Sequence, residues 1–144
     1  MRQFQTPETE TLVQSVLEEV LRDRPPSHDG LPREIREVLA QIHRHPFDLQ
    51  LNVRHLKSCC RIRDNNVSSR FRYVMGMTIK QYVEALRMEA ASRLLREVGM
   101  GIFDIAVSVG YHNLQTFYRA FERYHGCTPA SHRRTARRPV LSER

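Results

Sequence analysis

The sequence predicts an all-α protein, and three observations carry that prediction. Apolar residues recur at helical spacing through most of the chain, no stretch alternates apolar and polar residues as a half-buried strand would, and one block of residues returns in the same order about 50 positions later. At 144 residues, 40% hydrophobic and 27% charged, the chain can bury the core of one ordinary domain, or of one compact domain with a helical extension.

The elements follow in order. Thr6-Pro7 reads as an N-cap followed by proline at the first helical position, and Leu12, Val13, Val16, Leu17, Val20 and Leu21 give an amphipathic helix over 7–23. The breaker-rich stretch from Arg24 to Gly30 is a linker. A second helix starts near Pro32, turns Ile35, Val38, Leu39 and Ile42 inward, and ends before Pro46. A third spans Leu49 to about Cys59, and a fourth begins near Asp64, a good N-cap, with Val67 and Phe71 facing the core. A longer helix from Ile79 to Val98 carries Tyr82, Val83, Leu86, Ala90, Leu94 and Leu95 on its apolar side. Ile102 to Ala106 begin the next helix, and Gly110 supplies the left-handed residue that ends it. Asn113 caps the last clear helix, whose Phe117 and Phe121 share one face.

The repeat organises these elements. Phe71, Gly76 and Thr78 return as Phe121, Gly126 and Thr128, while Val53 and Leu56 return as Ile102 and Ile105 at an offset one residue shorter. The second copy therefore has one extra residue in the turn between its helices. Each copy reads as helix, tight turn, helix and a glycine-containing exit, which is the pattern of a tandem helix-turn-helix. The helix between them, at ~1.5 Å per residue, is ~30 Å long. That is close to the ~34 Å between successive major-groove faces of B-DNA, so it could hold two recognition helices on one side of a duplex. Residues 1–30 are then an N-terminal helix and linker, 31–134 the double helix-turn-helix domain, and 135–144 a basic tail read as disordered.

Charge is uneven. Residues 1–48 hold 6 Arg and 9 acidic residues, a net of −3, whereas 49–144 hold 15 Arg, 2 Lys and 7 acidic residues, a net of +10. Arginine forks onto phosphates and guanine edges, so the basic part suits a polyanion, with RNA or a membrane surface still allowed by charge alone. No apolar run is long enough to span a membrane, and the N-terminus has no signal-peptide core. Cys59, Cys60 and Cys127 suit a reducing cytosol, and the cytoplasm is the expected location. The seven histidines, His43 and His45 among them, lack zinc spacing, and no phosphate loop, carboxylate pair or nucleophile-base set appears. Neither an enzyme nor a metal or other cofactor is expected.

In the second unit, a core-facing Phe117 and Phe121 leave His112, Asn113, Gln115, Thr116 and Arg119 toward solvent in the half of the helix that enters a groove. Gln pairs with adenine, Arg with guanine, and Thr with phosphate or a thymine methyl. The alternative is a merely solvated face. In the first unit the corresponding face, Asn65, Asn66, Ser68, Ser69 and Arg72, is short and nearly neutral, which suits weaker contacts. Arg61 and Arg63 in the turn are candidates for phosphate. On the long helix, Arg87 and Glu89 are expected in intramolecular ion pairs rather than on DNA. The Arg133 to Arg138 stretch is a candidate for non-specific phosphate affinity. The vicinal Cys59-Cys60 pair admits a redox reading, against the plainer one that a cysteine is buried there.

Several blocks together resemble the DNA-binding domain of the AraC/XylS family of bacterial transcription regulators: Gly76-Met77-Thr78, Tyr82-Val83, Arg87 to Leu95, Ile102 to Ala106, Gly110-Tyr111, Phe117, Arg119, Phe121, Gly126, Pro129 and His132-Arg133. The resemblance covers residues from about 32 to 133. It implies seven helices, two recognition helices in successive major grooves, and activation or repression through contact with RNA polymerase. By position it puts the base-reading residues on Asn65, Ser68 and Ser69 in the first unit and on Leu114, Gln115 and Arg119 in the second, with Leu114 limited to a thymine methyl. The sequence departs from the family pattern at Lys57, where a small residue is usual and a long cation must snorkel out of the helix crossing, at Arg61, and at His132. Only about 30 residues precede the domain, too few to enclose a ligand. Their single amphipathic helix must pack on the domain or on a second copy of itself, which makes a homodimer through that helix one expectation and a protein-interaction module the rival reading.

Overall fold

In a computed structural model, the structure describes residues 7–23, 29–49, 51–60, 66–97 and 99–137. Among these it contains eight α-helices: α1 (Pro7–Asp23), α2 (Arg33–Arg44), α3 (Val53–Cys59), α4 (Val67–Met75), α5 (Ile79–Glu97), α6 (Ile102–Ser108), α7 (Leu114–His125) and α8 (Pro129–Arg137). Most of the 24–30 linker, the Asp64 cap, and Arg61, Arg63 and Asn65 lie outside the described residues.

The repeat is structural. Both α4 and α7 end on a glycine in the left-handed region, Gly76 at φ 76° and Gly126 at φ 77°, a conformation in which side chains other than glycine are strained. Two residues on, Thr78 and Thr128 each accept a hydrogen bond at their hydroxyl, from the backbone N–H of Gln81 at 3.0 Å and of Ser131 at 3.1 Å. At Thr78 the Gln81 side chain returns the bond, accepting from the Thr78 N–H at 2.9 Å and completing a capping box. α5 and α8 therefore begin by the same device.

Two boundaries differ from the sequence expectation. α3 starts at Val53 rather than Leu49, because Asn52 caps it, its Oδ1 accepting from the His55 N–H at 2.8 Å. The residues before it are turned back by backbone bonds from Asp48 N–H to His45 and from Leu51 N–H to Asp48. The domain boundary drawn after residue 134 falls inside α8, which runs on through Arg137. There Arg133, which the sequence put in a basic stretch free for phosphate, donates from Nε to the Leu95 carbonyl at 3.1 Å. The cation meets an orphan carbonyl of the last turn of α5.

α5 is the pillar of the molecule. Its N-terminal half supplies Ile79, Val83 and Leu86 to one core, shared with Ile35, Leu39 and Ile42 of α2, Leu56 of α3, and Val67 and Phe71 of α4. Its C-terminal half supplies Met88, Ala90, Ala91, Leu94 and Leu95 to a second core with Ile105, Phe117 and Phe121 of α6 and α7. A helix packed on so many sides cannot keep a single apolar stripe, which is why Ala85, Arg87 and Ser92 are buried as well.

α1 joins the second core, not the first that follows it in sequence. Val13, Val16, Leu17 and Val20 are buried there, and Asp23 pairs with Arg93 of α5. Of the two ways to cover its apolar stripe, the fold uses packing on its own domain.

Candidate nucleic-acid interface

The second unit is assembled from a short turn. α6 closes with the Gly110 N–H donating to Val107 O at 3.1 Å and the Tyr111 N–H to Ala106 O at 2.8 Å, and Gly110 itself adopts φ 104°. Asn113 then opens α7 from an extended backbone, its Oδ1 accepting from the Thr116 N–H at 3.0 Å. Phe117, Ala120 and Phe121 are at most 2% exposed, so the rotation of α7 about its axis is fixed by the core. His112, Asn113, Gln115, Thr116 and Arg119 are left exposed on the opposite side. Leu114 is half-buried and packs in part against the second core.

The first unit follows the same plan with less charge. Val67 and Phe71 are fully buried, turning Asn66, Ser68, Ser69 and Arg72 outward. Arg70, on the flank of that face, pairs with Glu34 of α2. Lys57 is half-buried where Ala106 is buried outright. Tyr73, which the sequence reading passed over, is 91% exposed at the far end of α4. Its signal was the spacing from Phe71: two residues are ~200° of helix, so a buried Phe71 turns Tyr73 outward.

Behind both units lies Arg87, and here the structure corrects the sequence. Arg87 is in no ion pair among the described residues and is 8% exposed, too buried for DNA. Nε donates to Pro46 O at 2.9 Å and NH2 to Asp48 O at 2.8 Å, both in the connection that leads into α3. NH1 donates to Gly110 O at 3.3 Å in the turn that leads into α7, and the guanidinium sits 5.4 Å from the centroid of the Tyr111 ring. One side chain thus ties the two turns together. Burial pushes its pKa down from the ordinary arginine value and pushes the Tyr111 phenol up.

Cys59 is exposed and Cys60 partly buried, with its Sγ donating to Glu37 O at 3.5 Å. Burial pushes the Cys60 thiol up, which works against thiolate chemistry there. Behind α7, His125 Nε2 donates to Met88 O at 3.0 Å and His132 Nε2 meets Ser92 Oγ at 2.9 Å, so imidazoles lock α7 and α8 to α5.

A family model described as "Helix-turn-helix domain" matches residues 56–135. Among curated relatives, the Uncharacterized HTH-type transcriptional regulator YtdP of Bacillus subtilis is 30% identical over 109 residues, 76% of this chain but 14% of that protein. Regulatory protein SoxS of Escherichia coli K12 is 32% identical over 99 residues, 69% of this chain and 92% of SoxS. Among solved structures, the C-terminal domain of AraT, a response regulator from Geobacillus stearothermophilus, superposes with a TM-score of 0.71 at 24% identity, covering 81% of this chain and 94% of that one. The chain thus spans a small part of some relatives and nearly the whole of others.

Proposed function

The chain belongs to the AraC/XylS-type helix-turn-helix family, and from that footing we propose that it is a sequence-specific DNA-binding transcription regulator. The observation that carries the reading is α7: capped at Asn113 and fixed by Phe117 and Phe121, it leaves Gln115, Thr116 and Arg119 exposed together on its N-terminal half. Arg119 reads guanine and Gln115 adenine, with Thr116, His112 and Asn113 on phosphate or a base edge. α4 is the second reading head. Its Ser68, Ser69 and Arg72 make weaker contacts, with Tyr73 against sugar or base, and Arg61, Arg63 and Asn65 complete this half. The 19 residues of α5 span ~28 Å, which suits heads placed in successive major grooves.

Double-stranded DNA is the primary partner, and RNA polymerase is the partner through which promoter activity is raised or lowered. Action on promoters places the protein in the cytoplasm; among the described residues no helix is long and apolar enough to cross a membrane. A homodimer through α1 would have to use its outward side, where Leu12 is 42% exposed, because the apolar stripe is already covered. The same burial weighs against the rival reading of α1 as a hook for another protein.

Selection from random duplexes followed by a salt titration tests the proposal. A sequence with two blocks about one helical turn apart, bound with a steep salt slope, is expected. Binding that selects no sequence, or no binding at low salt, overturns it.

A further inference from the structure

We propose that the cleft between the two units binds a small organic carboxylate, its anionic group over Arg87 and its apolar body between Leu56 and Ala120. The cleft has a volume of about 280 Å³ and is walled by α3 on one side and α7 on the other, with α5 as its floor. Leu56, Ile79, Val83 and Ala120 line it and are all at least nine-tenths buried, so it is largely apolar. Ligand pockets begin near this size, are mostly apolar, and hold a few placed polar groups between helices.

Charge decides the class of ligand. The titratable side chains lining the cleft besides Tyr111 are Lys80, Arg87 and Arg123 against Glu84. Glu84 is matched by Arg123 at 2.8 Å, which leaves Lys80 and Arg87. Arg87 is the informative one. It is more than nine-tenths buried, and three of its five N–H donors go to neutral carbonyls. No carboxylate among the described residues forms an ion pair with it; Asp48 attracts it at longer range, and the Tyr111 hydroxyl accepts a hydrogen bond from it. Burial still outweighs the help Arg87 receives from Tyr111 and Asp48, so a buried cation remains under-compensated, and an anion arriving from solvent relieves that cost. The apolar walls then disfavour a hydrated sugar-phosphate and favour a carboxylate carrying an aromatic or branched body. The proposal does not depend on DNA recognition, and its test does not involve DNA.

The test is NMR titration of the full chain with 3-phenylpropanoate, its neutral amide, and inorganic phosphate. The acid is expected to shift the signals of Leu56, Val83 and Ala120 saturably, with an affinity at least tenfold above that of the amide. Lys80→Glu, at an exposed position, should weaken the acid severalfold and leave the amide unaffected. Leu51→Trp, at the lip, should abolish binding of both; if that variant does not fold, the acid-amide comparison and Lys80→Glu decide alone. Equal affinity of acid and amide, no saturation at millimolar acid, or shifts confined to α8 would overturn the proposal. So would phosphate binding as well as the acid, which would make the cleft a contact for nucleic-acid backbone.

Discussion

The Arg87 guanidinium rests directly against Gly110: a β-carbon on Gly110 would lie 2.7 Å from the Arg87 Cζ. Position 110 is therefore closed to side chains twice, by its φ of 104° and by a neighbour that cannot move without losing three carbonyls. Gly110→Ala should cost about 3 kcal/mol by chemical denaturation, from backbone strain and overpacking together. Gly76→Ala and Gly126→Ala, where nothing lies within 4 Å of the added carbon, should each cost only about 1 kcal/mol. Equal losses at the three sites would mean that the contact with Arg87 adds nothing.

Arg87→Lys is not a conservative change here. An ammonium on a flexible stem cannot meet the carbonyls of Pro46, Asp48 and Gly110 at once, so at least one buried acceptor is left unpaired, at a cost of about 1–3 kcal/mol each. The signals of Asp48 and Tyr111, on the two turns the guanidinium joins, should shift together. A stability change with only one turn perturbed would show that the tie does not couple the units.

Arg119→Ala should lower affinity for the selected sequence by about 1–3 kcal/mol and relax preference at one base pair. Competitor duplexes are the control. Equal loss on selected and competitor DNA would reassign Arg119 to phosphate.

Acid should destabilise the protein through His132. Burial, then His125 and then Arg96, push its pKa below the ordinary histidine value, so the folded state favours the neutral ring more than the unfolded chain does. This contribution is intact above the ordinary histidine pKa and is lost as pH falls below it towards the folded value. The melting temperature of the parent should therefore fall between about pH 7 and 5, and His132→Phe should flatten that slope. An unchanged slope would locate the acid sensitivity elsewhere.

α1 should behave as part of the domain. Val20 is fully buried against the second core, and Val20→Ala should cost about 2 kcal/mol with no change in solution mass. A halving of mass with little loss of monomer stability would instead identify α1 as a dimer contact.

Much of this was readable from single residues. The paired Phe-Gly-Thr spacing located both units, because a left-handed helix end selects glycine and a helix start selects threonine whatever lies around them. Asn113, Phe117 and Phe121 oriented α7 for the same local reason. Local signals failed where a long side chain could choose among distant partners. Arg87 looked like half of an ion pair because an arginine near carboxylates in sequence usually is one. Its real partners are backbone carbonyls 23 to 41 residues away, and a carbonyl leaves no mark on residue type.

Local residue patterns were enough for most of the helices, for the cap at Asn113 and for the inward side of each amphipathic helix, since these depend on periodicity and on the conformational limits of a few residues. The Asn52 cap and the helix after Gly126 were not legible in that way. Tertiary structure alone decided that α1 covers the second core, that α5 is shared by two cores, and that one buried arginine joins both turns. Those outcomes depend on which apolar surfaces meet and which orphan polar groups come within reach, and neither exists until the chain is folded.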